Sequence, residues 1–351
     1  MTRKAVGAFL ALSMVFSLAA CGPEDGGGTT PSAVPSAASS DESVYRMSIA
    51  HLDPSGPIYE GWEYMKQILE EKSDGRIQVT IYPNKQISNS DTENAEKVQQ
   101  NIVQMSSVPT SALTSLASID GYKVLEYPYL FGDNDELNKV LDSELMQELS
   151  DELNGKTGIK AYGGFNIGWL RVSNKKGPVS TPADLAGLKI RTMTSDLQMA
   201  CMNAWGASAT PLSFGEVFTA LQQGTVDGVM TTSVLHVSER YYEVEKYITC
   251  TDAIPNVHIP IVNGDWYDSL PEDLKTVFNE CVADYMDNVR ALEEAAQDQS
   301  LKDLEDNGMT VTTLTAEEKQ AFIDATSGIL EENKALAGEA VVDRVLELLG
   351  K

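Results

Sequence analysis

Histidine, cysteine and basic charge are all in short supply in this chain. Three histidines and four cysteines occur among 351 residues. His51, His236 and His258 stand far apart, so their spacing offers no metal site. Cys21, Cys201, Cys250 and Cys281 are too widely spaced for a disulfide framework or a zinc ligand set. A single Cys201–Cys250 bridge in an oxidising compartment and free buried thiols both stay open. Lys and Arg number 26 against 52 Asp and Glu, a formal charge of −26. Such an acidic chain is not a nucleic-acid binder, nor is it drawn generally to anionic lipid. It can still bind an anion where arginines invert the local potential. Also missing are a Gly-x-Ser-x-Gly elbow, a phosphate loop and a His-Glu-x-x-His pair. Gly26 to Gly28 follow no strand. No enzyme activity, metal or cofactor is therefore expected, and there is no internal repeat.

What is present begins with a targeting segment. Arg3 and Lys4 precede an apolar run, Ala5 to Leu18, too short for a permanent span. Leu18-Ala19-Ala20-Cys21-Gly22 resembles a bacterial lipobox, which implies cleavage before Cys21 and lipid attachment to its thiol. An ordinary secretory signal with a chance cysteine is the alternative. Residues 21–42 are rich in Gly, Ser, Pro and Ala and cannot bury a core, so they predict a disordered tether. Together these features predict an extracytoplasmic protein, lipid-anchored to the outer face of the cell membrane.

The rest alternates strand and helix. Tyr45 to His51 alternates as a strand, Ile58 to Lys72 has helical spacing, and Ile77 to Tyr82 alternates again. That β-α-β opening predicts an α/β fold. A helix from Asp91 to Asn101 and a strand from Ile102 to Ser107 follow. Ligands of open α/β sheets lie at the carboxyl ends of strands, which makes His51 and Ser106 or Ser107 candidates. Further on, Asn134 to Asn154 predicts one long helix. Gly163-Gly164 predicts a hinge, and Pro271 to Leu304 another long helix.

Between Gly168 and Thr232 the pattern becomes distinctive. Arg171 and Arg191 stand on what read as two neighbouring short strands. Between them Thr181-Pro182 predicts an N-cap with proline in the first turn, and Gly187 ends the short helix. A planar guanidinium so placed pairs with a ligand carboxylate or with a protein Asp or Glu. Ser195 opens a helix to Trp205. Ser213 and Glu216 predict a capping box before a helix from Gly215 to Gln223.

This stretch resembles the signature of the solute-binding proteins of TRAP transporters (DctP type), tripartite ATP-independent uptake systems for organic acids. The matching runs are Arg171-Val-Ser-Asn-Lys-Lys-Gly-Pro-Val, Thr181-Pro-Ala-Asp-Leu-Ala-Gly-Leu-Lys-Ile-Arg191, and Pro211 through Asp227-Gly228. Leu125 to Phe131 and Arg240 to Lys246 match further family runs. The resemblance implies a two-lobe periplasmic-binding-protein-like fold with a ligand cleft and a long lobe-spanning helix. It divides the chain into lobe I (43–165), lobe II (166–250), a return to lobe I (251–296), then lobe II and the terminal helices (297–351). It implies that Arg191 holds the carboxylate of a small organic acid, with Arg171 and Thr231 adding hydrogen bonds. Phe214 lies against the ligand or serves as a core aromatic. His51, Ser195 and Ser107 complete the candidate set. Thr231 stands where most members carry asparagine, which implies an acid other than the usual C4-dicarboxylate. The implied partners are the acid and a membrane permease pair, with the protein itself a monomer. Service to an ATP-driven importer or to a receptor kinase is the alternative.

Overall fold

The computed structural model describes residues 43–351. The expected signal peptide, Cys21 and the tether lie outside the described residues. In chain order the first strands are β1 (Tyr45–Ala50), β2 (Ile77–Tyr82), β3 (Met105–Pro109), β4 (Ile159–Ala161), β5 (Phe165–Trp169) and β6 (Arg171–Asn174). Then come β7 (Lys189–Thr192), β8 (Ser208–Pro211), β9 (Gly228–Thr231), β10 (Tyr247–Cys250), β11 (Pro255–Asn263) and β12 (Thr310–Thr313). They form two sheets. The first runs β2-β1-β3-β11-β4, with β5 also on β11; the second runs β12-β10-β6-β9-β7-β8. Each sheet is the centre of one lobe.

The first lobe follows from its hydrophobic periods. Met47 and Ile49 alternate inward on β1, Ile77 and Val79 on β2, and the two strands pair in parallel from Tyr45↔Ile77 to Ala50↔Tyr82. The helix between them, Pro57–Lys72, buries Ile58, Trp62, Met65 and Leu69 on one face. That face packs on the helix Glu272–Asp306, where Trp62 stacks on Tyr285 at 4.2 Å.

At 35 residues, this helix is about 52 Å long from its rise per residue. Its early turns bury Leu274, Phe278 and Val282 with the first lobe. Its last turns bury Leu304 with Ile248 and Met309 of the second. It therefore spans both lobes.

In the second lobe, Arg171 and Arg191 do not stand on neighbouring strands. β9 lies between β6 and β7, with Arg171 opposite Thr231 and Arg191 beside Val229. Gly228 permits this insertion, because a Cβ there would run into the Ser173 carbonyl oxygen on β6.

Besides the long helix, the chain crosses between lobes at Leu170 and at Thr251–Ile254, and these two crossings bind each other. Leu170 N donates to Ile254 O at 2.8 Å, and Thr251 Oγ1 to Leu170 O at 3.3 Å. Because β5 pairs with β11, the first crossing comes after Trp169 rather than at residue 166. The terminal helices also differ from expectation, since they tie both lobes together. Trp205 Nε1 of the second lobe donates to Phe322 O at 3.1 Å, while Tyr127 Oη of the first donates to Asn333 O at 2.7 Å. The long helix expected over 134–154 is two, Asn134–Leu141 and Glu144–Thr157, broken at Asp142-Ser143. Both residues favour caps over helix interiors.

Candidate functional site

A cavity of about 400 Å³ lies between the lobes. Its first-lobe wall is His51, Leu52, Asp53, Asp91, Pro109, Ile167, Asn256 and His258. The second-lobe wall is Arg191, Met193, Phe214, Thr231 and Leu235. Toward solvent it continues into a mouth of about 450 Å³ bounded by Ser90, Thr92, Ser111 and Ser213.

Arg191 is buried on β7. Its Nε and Nη2 both donate to the Leu212 carbonyl oxygen, at 3.0 and 2.8 Å. That bifurcated grip fixes the guanidinium plane and leaves Nη1 without a protein partner among the described residues. Thr231, at the end of β9, is buried and lines the same wall. Phe214 opens the turn Phe214–Glu216, whose capping box is Ser213 with Glu216. The Lys85 ammonium lies over the Phe214 ring, 5.0 Å from its centroid. Lys85 also reaches both carboxylate oxygens of Glu239 at 2.8 Å, an ion pair from one lobe to the other.

The first-lobe wall is polar but carries no cation. His51 follows β1, and its Nε2 lies 3.3 Å from Asp53 Oδ2 without the alignment of a hydrogen bond. Burial pushes the His51 pKa down to about 3, helped by His258 and Lys85. Burial likewise pushes His258 to about 3. Both imidazoles are thus neutral at physiological pH. Asp53 is pushed up to about 8, first by burial and then by Glu239 and Asp91. Asp91, in the first turn of the helix Asp91–Gln99, is pushed up to about 7 by burial, with Arg191 pulling the other way.

Of the residues expected from sequence, His51, Arg191, Phe214 and Thr231 meet here. Arg171 does not. Its Nε pairs with Asp252 Oδ1 at 2.9 Å and its Nη1 with Ser233 Oγ at 2.7 Å, outside the cavity. Asp252 sits on the second crossing in the left-handed region, at φ 45°. Arg171 therefore pins the crossings together, and the abundance of protein carboxylates decided its partner. Ser195 is also elsewhere. It caps the helix Asp196–Ala204, and its Oγ bonds the buried Glu126 carboxylate across the lobe junction. Ser107 is buried on β3 beside Tyr285 and His258 and does not itself line the cavity. Sequence reasoning missed Asp53, Asp91, Asn256 and His258 as cavity residues. Asp53 stands two residues past a strand end already marked by His51. His258 pairs opposite Pro109 of β3, and that pairing brings it to the cavity.

Among the described residues no group of three or more His, Cys, Asp and Glu is arranged to hold a metal ion. His236 is sealed in the second lobe, between Ser173 and the Thr232 carbonyl. Cys201, Cys250 and Cys281 are free and buried. Among the described residues no helix is long and apolar enough to cross a membrane.

This architecture has a known family. The family model for bacterial extracellular solute-binding protein, family 7 (DctP), matches residues 49–335. The chain belongs to that family. Members similar to it include the C4-dicarboxylate-binding periplasmic protein DctP of Rhodobacter capsulatus. That protein is 29% identical over 83% of this chain and 87% of its own length. The 2,3-diketo-L-gulonate-binding periplasmic protein YiaO of Escherichia coli is 27% identical over 74% and 77%. A solved TRAP periplasmic solute-binding protein of Sulfurospirillum deleyianum, with bound succinate, is 26% identical. It superposes with a TM-score of 0.81 over 87% of this chain and 99% of that one. The DctP-family fold accounts for the two sheets and the helix that crosses them. Family membership also makes this a solute-binding protein of the extracellular class.

Proposed function

We propose that this protein captures a small organic acid in the interlobe cleft and delivers it to a TRAP membrane permease. Arg191 takes the carboxylate through Nη1 and its free Nη2 hydrogen, Thr231 adds a hydrogen bond, and Phe214 covers the carbon skeleton. It acts as a binding protein, not an enzyme. The single observation that carries this reading is Arg191 itself. It is a buried guanidinium, held in plane by Leu212 O, and it makes no ion pair with a carboxylate among the described residues. A buried charge of that kind calls for an anionic partner. The ligands of the similar proteins, C4-dicarboxylate, diketo-gulonate and succinate, are all organic acids.

The lobes close about the crossings at Leu170 and Thr251–Ile254 and along the long helix. Lys85–Glu239 and the Glu126 cluster then clasp the closed form. Closure excludes water and strengthens the ion pair at Arg191. Cys21 carries the lipid and residues 22–41 the tether, so a monomer works at the outer membrane face beside its permease.

A thermal-shift screen tests the reading. Mono- and dicarboxylates, sugar acids, keto acids and neutral sugars are added to the chain from residue 43 onward. A ligand at about a hundred times its Kd adds roughly 2.7 kcal/mol of stability. Carboxylate hits are expected; hits confined to neutral sugars would overturn the reading.

A further inference from the structure

Three neutral side chains on the first-lobe wall hold polar atoms that no protein group satisfies. His51 Nε2, His258 Nδ1 and Asn256 Oδ1 all lack a hydrogen-bond partner among the described residues. These residues are 5%, 8% and 3% exposed, and all three line the cavity. Buried polar atoms in native proteins are nearly always hydrogen-bonded. Three orphans on one wall therefore mark groups kept for a ligand. The carboxyls of Asp53 and Asp91 border the same wall.

Cations are missing from it. Lys85 is engaged with Glu239, and Arg171 with Asp252 and Ser233. Arg191 is the guanidinium that lines the cavity, and it stands on the opposite wall. A dicarboxylate with one end on Arg191 would bring its other carboxylate to two neutral imidazoles, an amide oxygen and Asp53. That end would meet no counter-charge, and Asp53 would repel it whenever ionised. Hydroxyl groups fit far better, because each both donates and accepts. One hydroxyl can donate to Asn256 Oδ1, and others can pair with either tautomer of His51 and His258.

We infer, on the reading that Arg191 binds a carboxylate, that the ligand is a polyhydroxylated monocarboxylate whose hydroxyls are read by His51, His258, Asn256 and the two aspartates. The raised pKa values of Asp53 and Asp91 support this, since a protonated carboxyl donates to a hydroxyl oxygen and an ionised one accepts from its proton.

Isothermal titration of the purified protein with D-erythronate, D-gluconate, butyrate, succinate and L-glutamate is the test. The hydroxy acids are expected to bind at least about tenfold more tightly than butyrate and succinate, the worth of one good hydrogen bond. In Asn256→Leu and His258→Phe the ratio of hydroxy-acid to butyrate affinity should fall roughly tenfold each. Measuring a ratio on folded protein separates lost recognition from lost stability. Succinate or L-glutamate binding as tightly as the hydroxy acids would overturn the inference and leave the carboxylate reading standing. So would a ratio unchanged in both variants. Failure of every acid to bind, or affinities unchanged in Arg191→Ala, would overturn the carboxylate reading and this inference with it.

Discussion

Arg191→Ala is the substitution that separates ligand capture from scaffold. In the wild type two N–H groups of this side chain hold Leu212 O, and the remaining donors face the cavity. Removing it leaves a bound carboxylate desolvated and unpaired. Truncating one partner of a buried, hydrogen-bonded charge pair costs about 2–5 kcal/mol of binding. That converts to a rise in Kd of roughly thirty-fold to several thousand-fold. Arg191→Lys keeps the charge but loses the fork, so it should lie between Ala and the wild type. The fold should survive both changes. Leu212 O is lost as an acceptor of two hydrogen bonds, but Leu212 is only half-buried and water can replace them, at a cost of about 1 kcal/mol. Titration calorimetry on each variant, with its melting temperature as control, reads both quantities. A folded Arg191→Ala protein that binds every wild-type ligand with unchanged Kd would refute the reasoning.

Arg171→Ala should behave in the opposite way. It breaks a largely buried pair with Asp252 and should lower unfolding stability by about 2–3 kcal/mol in denaturant melts, with ligand Kd changed far less than in Arg191→Ala. The pH dependence has a definite sign. The folded pKa values of Asp53, about 8, and Asp91, about 7, exceed the unfolded 3.8, so the native state binds extra protons and ligand-free stability falls as pH rises toward 8. His51 and His258, depressed to about 3 from 6.5, make stability fall instead as pH drops below 6.5. The decline from pH 6.5 to 8 therefore reports on the aspartates, and Asp53→Asn should remove much of it in thermal melts across that range. Glu239→Gln loosens the Lys85 clasp and should raise the ligand dissociation rate several-fold by stopped flow, with little change in association. Gly228→Ala should abolish soluble expression or cost more than about 3 kcal/mol, because its Cβ would clash with Ser173 O between β6 and β9.

Much of this was legible in the sequence because it rests on local rules. Strand alternation at Tyr45–Ala50, the helical stripe of Ile58, Trp62, Met65 and Leu69, and the Ser213–Glu216 capping box each depend on residues close in sequence. The run ending in Arg191 was readable for the same reason. What stayed hidden depends on contacts between distant segments. The insertion of β9 between the two arginine strands is a matter of pairing, and it turned two neighbours into flanking positions. Arg171 found a protein partner because Asp252, 81 residues later, is brought to the crossing. Ser195 went to Glu126, 69 residues earlier, instead of to the cavity. The polar wall of Asp53, Asn256 and His258 exists only once β11 returns beside β3, which no local pattern announces. The break at Asp142-Ser143 was a local feature misread, as a continuous amphipathic stripe concealed two caps.

A crystal structure of the protein with its tightest-binding acid tests the central claim most directly. The account predicts the carboxylate within hydrogen-bonding distance of Arg191 Nη1 and Thr231 Oγ1, with Phe214 over the carbon chain. A carboxylate found instead in the polar hollow beside Arg171, Arg290 and Gln297 would contradict it.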